Sequence, residues 1–223
     1  MTKLINPIPL GMVKCFLLEG NTNILVDAGL SRSPDRIRRE LDRIHVKMES
    51  IGLIIITHNH PDHIGGLAAL KQLTGAKVLM HRLEADFLVR GQDSPAAPQT
   101  GFAKVMMRMF PKSEPSGIRS DLTFKDEFDL RPYGLKAKVI HTPGHTDGSA
   151  SIVFDNGEAV VGDLINGRMG PVGRAATLPF LLSSRKAILS SMKMLLERGV
   201  ETFYPAHGAA CSADAVRKLV ARY

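Results

Sequence analysis

The sequence predicts an α/β fold, and three observations carry that expectation. Short apolar, β-branched runs recur along the chain, the strongest being Ile51 to Ile56 (IGLIII), which suits a central strand buried on both faces. Stretches with apolar residues three and four apart, the spacing of an amphipathic helix, separate several of these runs. At 223 residues, with 44% hydrophobic and 23% charged residues and no linker-like tract, the chain is ordinary for one large sandwich, so residues 1–223 are expected to form a single domain.

The elements follow in order. Val13 to Leu18 and Asn23 to Val26 are strand-like. A helix comes next, capped by Ser33 with Pro34 in its first turn. Its apolar face is Ile37, Leu41, Ile44 and Met48, and beside it runs a basic stripe of Arg36, Arg39, Arg43 and Lys47. After the Ile51 strand a helix is expected from His63 to Leu73, with Gly65 and Gly66 at its start, where small residues permit either approach to a ligand or close packing. Strands follow at Lys77 to Met80, Leu135 to Ile140, Ser151 to Phe154 and Ala159 to Val161. Leu181 to Arg198 reads as a long helix stopped by Gly199, Thr202 to Tyr204 as a short strand, and Asp214 to Tyr223 as a closing helix.

The chemistry concentrates in Thr57-His58-Asn59-His60-Pro61-Asp62-His63, three imidazoles and a carboxylate directly after an apolar strand. His58 and His60 are two apart, so an extended turn can aim both at one ion, while Asp62 and His63 lie far enough on to serve a second. His145 in HTPGHTDGS, Asp163 after AVVG and His207 in YPAHG each stand at the end of a strand-like segment beside a glycine. The set divides into His58, His60 and His145 around one ion and Asp62, His63 and His207 around another, with Asp163 bridging. Of the eight histidines, His45, His81 and His141 fall outside; the first two are expected at the surface, and His141 in a structural or supporting place near His145.

In its HxHxDH motif, later His, single Asp and final His, taken in order, the chain resembles the metallo-β-lactamase-fold hydrolases, more like their glyoxalase II and lactonase branch than true β-lactamases. The resemblance runs from about Leu25 to His207. It implies an αβ/βα four-layer sandwich, two mixed β-sheets face to face and flanked by helices, with a binuclear site at one edge. It also implies a supporting role for Asp27 in LVDAG, a carboxylate placed to accept a ring N–H from a ligand histidine. The implied cofactors are two divalent ions, zinc first, with iron or manganese also suited to imidazole and carboxylate. Such a pair lowers the pKa of a shared water toward about 7, so that hydroxide forms at neutral pH. Asp62 is the expected catalytic residue, orienting that hydroxide and passing a proton to the leaving group. No GxSxG or other nucleophile motif competes with this reading.

A carboxylic ester, lactone or thioester is the expected substrate, a phosphodiester the second choice and an iron-dependent oxidation the third. Members that hydrolyse glutathione thioesters usually add a helical region after the last ligand, and only residues 208–223 follow His207. The net charge of +7 invites nucleic acid, but Asp35, Glu40 and Asp42 interrupt the basic stripe, so a solvated helix face is the expectation and a small molecule the expected partner. The substrate's apolar part would meet a cap-like insertion at about 86–120, where prolines break the core pattern and Phe102, Val105, Met106, Met109 and Phe110 could share a helical face. That face could equally serve a homodimer. Met106 and Phe110 are the substrate-binding candidates there, and Arg168 and Arg174, in the loop after Asp163, are the anion-binding ones. Cys15 and Cys211 form no CxxC pair, and the N-terminal stretch has neither a signal-peptide pattern nor a membrane span, so a reduced, cytoplasmic setting is expected.

Overall fold

A computed structural model of the chain describes residues 4–107, 117–170 and 175–223; the side chains of Phe102, Met106 and Met107 are outside the description. In chain order the first half comprises β1 (Ile5–Pro9), β2 (Lys14–Leu18), β3 (Asn23–Val26), α1 (Pro34–Arg43), β4 (Ile51–Ile56), α2 (Pro61–Ile64), α3 (Leu67–Thr74), β5 (Lys77–His81), α4 (Arg82–Arg90), β6 (Ala97–Pro98), α5 (Gly101–Met107) and β7 (Leu122–Phe124). The second half comprises β8 (Glu127–Asp129), β9 (Ala137–His141), β10 (Ala150–Phe154), β11 (Glu158–Gly162), β12 (Asn166–Gly167), β13 (Ala176–Thr177), β14 (Leu181–Leu182), α6 (Arg185–Glu197), β15 (Thr202–Pro205), β16 (Cys211–Ser212) and α7 (Ala213–Val220).

Two six-stranded mixed sheets, ordered β1-β2-β3-β4-β5-β7 and β16-β15-β11-β10-β9-β8, form the centre of a four-layer αβ/βα sandwich. Alternation along β4 shows how the layers arise. Leu53 and Ile55 point into the core between the sheets, against Val139, Ile152 and Val160 of the facing sheet. Ile54 and Ile56 point the other way, against Ile37 and Leu41 of α1 and Leu67 and Leu70 of α3. A run apolar at nearly every position is what a strand covered on both faces requires, and the burial of each such side chain contributes roughly 1.5–3 kcal/mol. On the far side Val161 and Phe203 pack on Ile188, Met192 and Leu195 of α6 and on Val216 and Leu219 of α7. The strands β3, β4, β5 and β7 run parallel, so the chain leaves β4 and β5 at the same edge of the first sheet.

Four expectations change in detail. The segment from Pro61 is two helices, α2 and α3, because Gly65 and Gly66 press against the Ala28–Ser31 backbone; a Cβ on Gly66 would lie 2.4 Å from the Ala28 carbonyl. Close packing therefore accounts for those glycines. Ser33 precedes α1 but makes no side-chain cap bond. The helix expected from Leu181 begins at Arg185, where the Ser184 hydroxyl accepts the Ala187 N–H, and Leu181–Leu182 instead form β14, paired with β6. His81 is 1% exposed and not at the surface: its Nδ1 accepts the Leu83 N–H at the start of α4, its Nε2–H donates to the Lys125 carbonyl at 2.6 Å, and its ring stacks on His141 at 4.0 Å. Nothing in the residue type distinguishes such a cap from a solvated histidine. Among the described residues no helix is long and apolar enough to cross a membrane.

Candidate metal centre

The first sheet delivers His58, His60, Asp62 and His63 from the loop and short helix that follow β4, while the second delivers His145 after β9, Asp163 after β11 and His207 after β15. The structure brings all seven together at one edge of the sandwich. Their ligand-type atoms form three overlapping groups, each within 4.8 Å: His58, His60 and His145; His58, His63 and Asp163; Asp62, His63 and His207. The two sheets are tied at the same place, since the Ala150 N–H donates to the Thr57 carbonyl at 2.9 Å.

Every imidazole has its outward nitrogen engaged. His58 Nδ1 lies 3.1 Å from the Thr57 hydroxyl, His60 Nε2 donates to the Ser94 carbonyl at 3.0 Å and His145 Nδ1 to the Leu181 carbonyl at 2.8 Å. His63 Nδ1 donates to Asp27 Oδ2 and His207 Nδ1 to the Met12 carbonyl, both at 2.8 Å. With the proton held on the outer side, the inner nitrogens of His58, His60 and His145 carry lone pairs. His145 Nε2 then faces His58 Nε2 at 3.1 Å and His60 Nδ1 at 3.0 Å. Three acceptors at that separation repel one another unless a cation stands among them, which is the demand a metal site makes of its donors. His63 Nε2 and Asp163 Oδ1 are buried with no hydrogen-bond partner, a costly arrangement that an ion would relieve.

The carboxylates give the second half of the centre its charge. Asp163 Oδ1 is 3.5 Å from His63 Nε2, and its Oδ2 is 3.6 Å from His145 Nε2 and 3.5 Å from His207 Nε2, so its two oxygens reach both groups of imidazoles. Asp62 Oδ2 is 3.3 Å from His207 Nε2 and 3.8 Å from His63 Nε2. Burial, reinforced by the neighbouring imidazoles, pulls the His58 pKa well below its ordinary value and brings His145 down to about 4. At His207 burial acts the same way but is outweighed by Asp163 and Asp62, which hold the pKa at about 10, and Asp27, Asp62 and Asp163 likewise raise His63. Burial works against ionisation of Asp62, yet His63 and His207 bring its pKa down to about 2. Burial thus disfavours charge on His58 and His145, whereas neighbouring carboxylates favour it on His63 and His207.

Asp27 has a left-handed backbone (φ 64°), uncommon for a residue with a side chain, and its carboxylate accepts the Thr57 N–H at 2.8 Å, the Thr57 hydroxyl and the His63 ring N–H. That network joins the end of β3 to the start of the histidine loop. Glu84, which sequence reasoning missed, performs a comparable task from α4. HRLEAD reads as an ordinary helix start, and only the fold turns its glutamate inward. Arg168 is exposed, with its carbonyl accepting the Ala209 N–H near His207. Met106 has an undescribed side chain, and Phe110 and Arg174 lie outside the described residues. Asp62 and His207, with side chains 21% and 18% exposed, are the most open of the seven.

The sequence profile of the metallo-beta-lactamase superfamily matches residues 8–207. The chain is 32% identical over 197 residues to the "probable metallo-hydrolase MJ0888" of Methanocaldococcus jannaschii, covering 86% of each. It is 31% identical over 107 residues to a hydroxyacylglutathione hydrolase of Rhodopseudomonas palustris, covering 48% of this chain and 31% of that one. In three dimensions it is similar to a metallo-beta-lactamase with a HARLDQ motif from Cronobacter sakazakii, with a TM-score of 0.69 at 21% identity over 98% of this chain and 88% of the other. With two mixed sheets, a His/Asp cluster at their shared edge and a profile that spans nearly the whole sequence, this chain belongs to the metallo-β-lactamase superfamily and is a metal-dependent hydrolase.

Proposed function

We propose that the centre holds two divalent ions, zinc being the first choice and iron or manganese also suited, and that it hydrolyses a carboxylic ester, lactone or thioester. The observation that carries this reading is the set of five inner ring nitrogens and two carboxylates that converge with every outer ring nitrogen already engaged. His58, His60 and His145 would hold one ion, Asp62, His63 and His207 the other, and Asp163 would touch both. Ions bound there supply Lewis acidity, polarising the bond to be cleaved and making water a stronger acid.

The remaining work falls to the chain's own groups. Asp62, the most open carboxylate of the centre, orients the attacking water and takes its proton as oxygen adds to the carbonyl carbon. When the carbon–oxygen or carbon–sulfur bond breaks, the same carboxyl returns that proton to the departing alkoxide or thiolate. No side-chain nucleophile is consumed. The acyl preference is supported by relatives named for hydroxyacylglutathione and by structural neighbours named for β-lactams, both acyl compounds.

The whole chain is read as one domain with a cap-like insertion at about 86–120, of which residues 108–116 lie outside the described residues. At the start of that stretch α4 runs on to Arg90 and buries Leu88 in the helix-side core. Support for the cap comes from its two anchors at the centre: the Ser94 carbonyl holds His60, and β6 pairs with β14, whose Leu181 carbonyl holds His145.

The deciding experiment compares turnover of the zinc-loaded protein on an acyl ester, a lactone, an acyl thioester and an activated phosphodiester, with a chelated control. Chelator-sensitive turnover confined to the acyl compounds is expected, and preference for the phosphodiester would overturn the substrate assignment. Asp62→Ala should reduce kcat on the best substrate by a factor of about 10² or more, and a near-normal rate would remove Asp62 from the mechanism.

A further inference from the structure

Glu84 is a buried carboxylate, 1% exposed, in the first turn of α4. Among the described residues no Lys, Arg or His comes within ion-pair distance of it. Its oxygens instead accept four hydrogen bonds: Oε2 from the Asn59 N–H at 2.8 Å and the Ser94 hydroxyl at 2.5 Å, Oε1 from the Thr146 hydroxyl and the Gly148 N–H, both at 2.9 Å. Burying a carboxylate away from any cation is expensive, and full satisfaction by oriented donors is the condition under which it persists.

The donors are not a random set. Asn59 lies between His58 and His60, Thr146 follows His145, and Ser94 carries the carbonyl that holds the outer nitrogen of His60. One side chain thus ties together three stretches of chain, drawn from both halves of the sandwich, that carry or orient the His58, His60 and His145 trio. Gly148 belongs to the same arrangement, since a Cβ there would sit 2.6 Å from Glu84 Cγ and Oε1. The other trio is supported elsewhere: Asp27 holds His63, and the Met12 carbonyl holds His207.

We propose that Glu84 is a positioning residue for the three-imidazole half of the centre, setting the spacing of His60 and His145 and supplying a nearby negative charge to offset the ion they hold. This inference rests on the metal-binding reading above. It requires that the loss of Glu84 weaken one half of the centre selectively, whereas a merely structural carboxylate would affect both halves or only the melting temperature.

The test is a stepwise zinc titration of the metal-free protein against a chromophoric chelator, alongside the melting temperature. His145→Ala and His207→Ala serve to assign each binding step. Glu84→Gln replaces one acceptor oxygen with an NH2 group that meets two donors. It should lower affinity about 10- to 100-fold at the step that His145→Ala removes and leave the step that His207→Ala removes within about threefold. Ser94→Ala, a milder change that keeps the carbonyl to His60, should produce a smaller loss at the same step and keeps the test available if Glu84→Gln does not fold. Equal losses at both steps, or unchanged affinity in both variants, would overturn the proposal. A wild-type protein that binds no zinc would overturn the metal reading itself and this inference with it.

Discussion

Asp27 shows how much can depend on one side chain. Its left-handed backbone and three accepted hydrogen bonds fix both the first residue of the histidine loop and the ring of His63. Asp27→Asn preserves the shape but offers an NH2 group in place of one acceptor, so zinc affinity in a chelator-competition titration should fall about 10- to 100-fold. An unchanged affinity would mean that His63 is oriented by other groups. His81 allows a prediction about pH. Burial and the neighbouring His141 bring its pKa from the ordinary 6.5 to about 4. Between those values the unfolded chain binds more protons than the folded one, so the contribution of neutral His81 is complete above about pH 6.5 and is lost as the pH falls toward 4. Protonation also removes the lone pair that caps α4. In urea unfolding, His81→Gln should therefore cost stability at pH 7.5 and less at pH 5, and a gap independent of pH would refute the assignment. Asp27 entered the sequence reading through the family resemblance, and in the fold its carboxylate accepts the His63 ring N–H. His81 and Glu84 were not legible, because their roles depend on contacts with residues 40 or more positions away, Lys125 and Thr146.

At the scale of elements, periodicity revealed which faces are buried more reliably than where helices begin. The apolar face of α1 is an example: Ile37 and Leu41 are in the core, while Arg36 and Arg39 are exposed. Leu41→Ala should cost about 2–5 kcal/mol in urea denaturation, whereas Arg39→Ala should stay within about 0.5 kcal/mol of wild type. A comparable cost at Arg39 would give the basic stripe a structural part that its exposure does not suggest. Helix α6 illustrates the opposite limit. Leu181 and Leu182 continue the apolar pattern backward into a strand, and Ser184, the cap that ends the ambiguity, is one of two adjacent serines. The pairing of β14 with β6 joins segments more than 80 residues apart, which no local pattern encodes.

For the whole molecule the important fact is the division of the centre between two sheets. The order of the motif segments was visible in the sequence, and so was the need for each to follow a strand; the sheet order, with β11 between β10 and β15, was not. A divalent ion held, as proposed, by His58 and His60 from one sheet and His145 from the other would cross-link the two halves of the sandwich. Because such an ion binds the folded chain in preference to the unfolded one, zinc at about 1,000 times its Kd should add about 4 kcal/mol to stability. Chelation should lower the melting temperature reversibly, and a melting curve indifferent to zinc and chelator alike would argue against a centre shared between the sheets.

The three main-chain carbonyls that hold His60, His145 and His207 belong to Ser94, Leu181 and Met12. Because the backbone does this holding, mutation can change those side chains without touching the bond that orients each ring, and Met12 already turns its side chain outward, 69% exposed. Met12 is therefore free to drift, whereas Ser94 is held by its second bond, from its hydroxyl to Glu84. A lineage can re-tailor the approach to this centre for new molecules while inheriting the same reactive core, and Met12 is where a search for altered selectivity should begin.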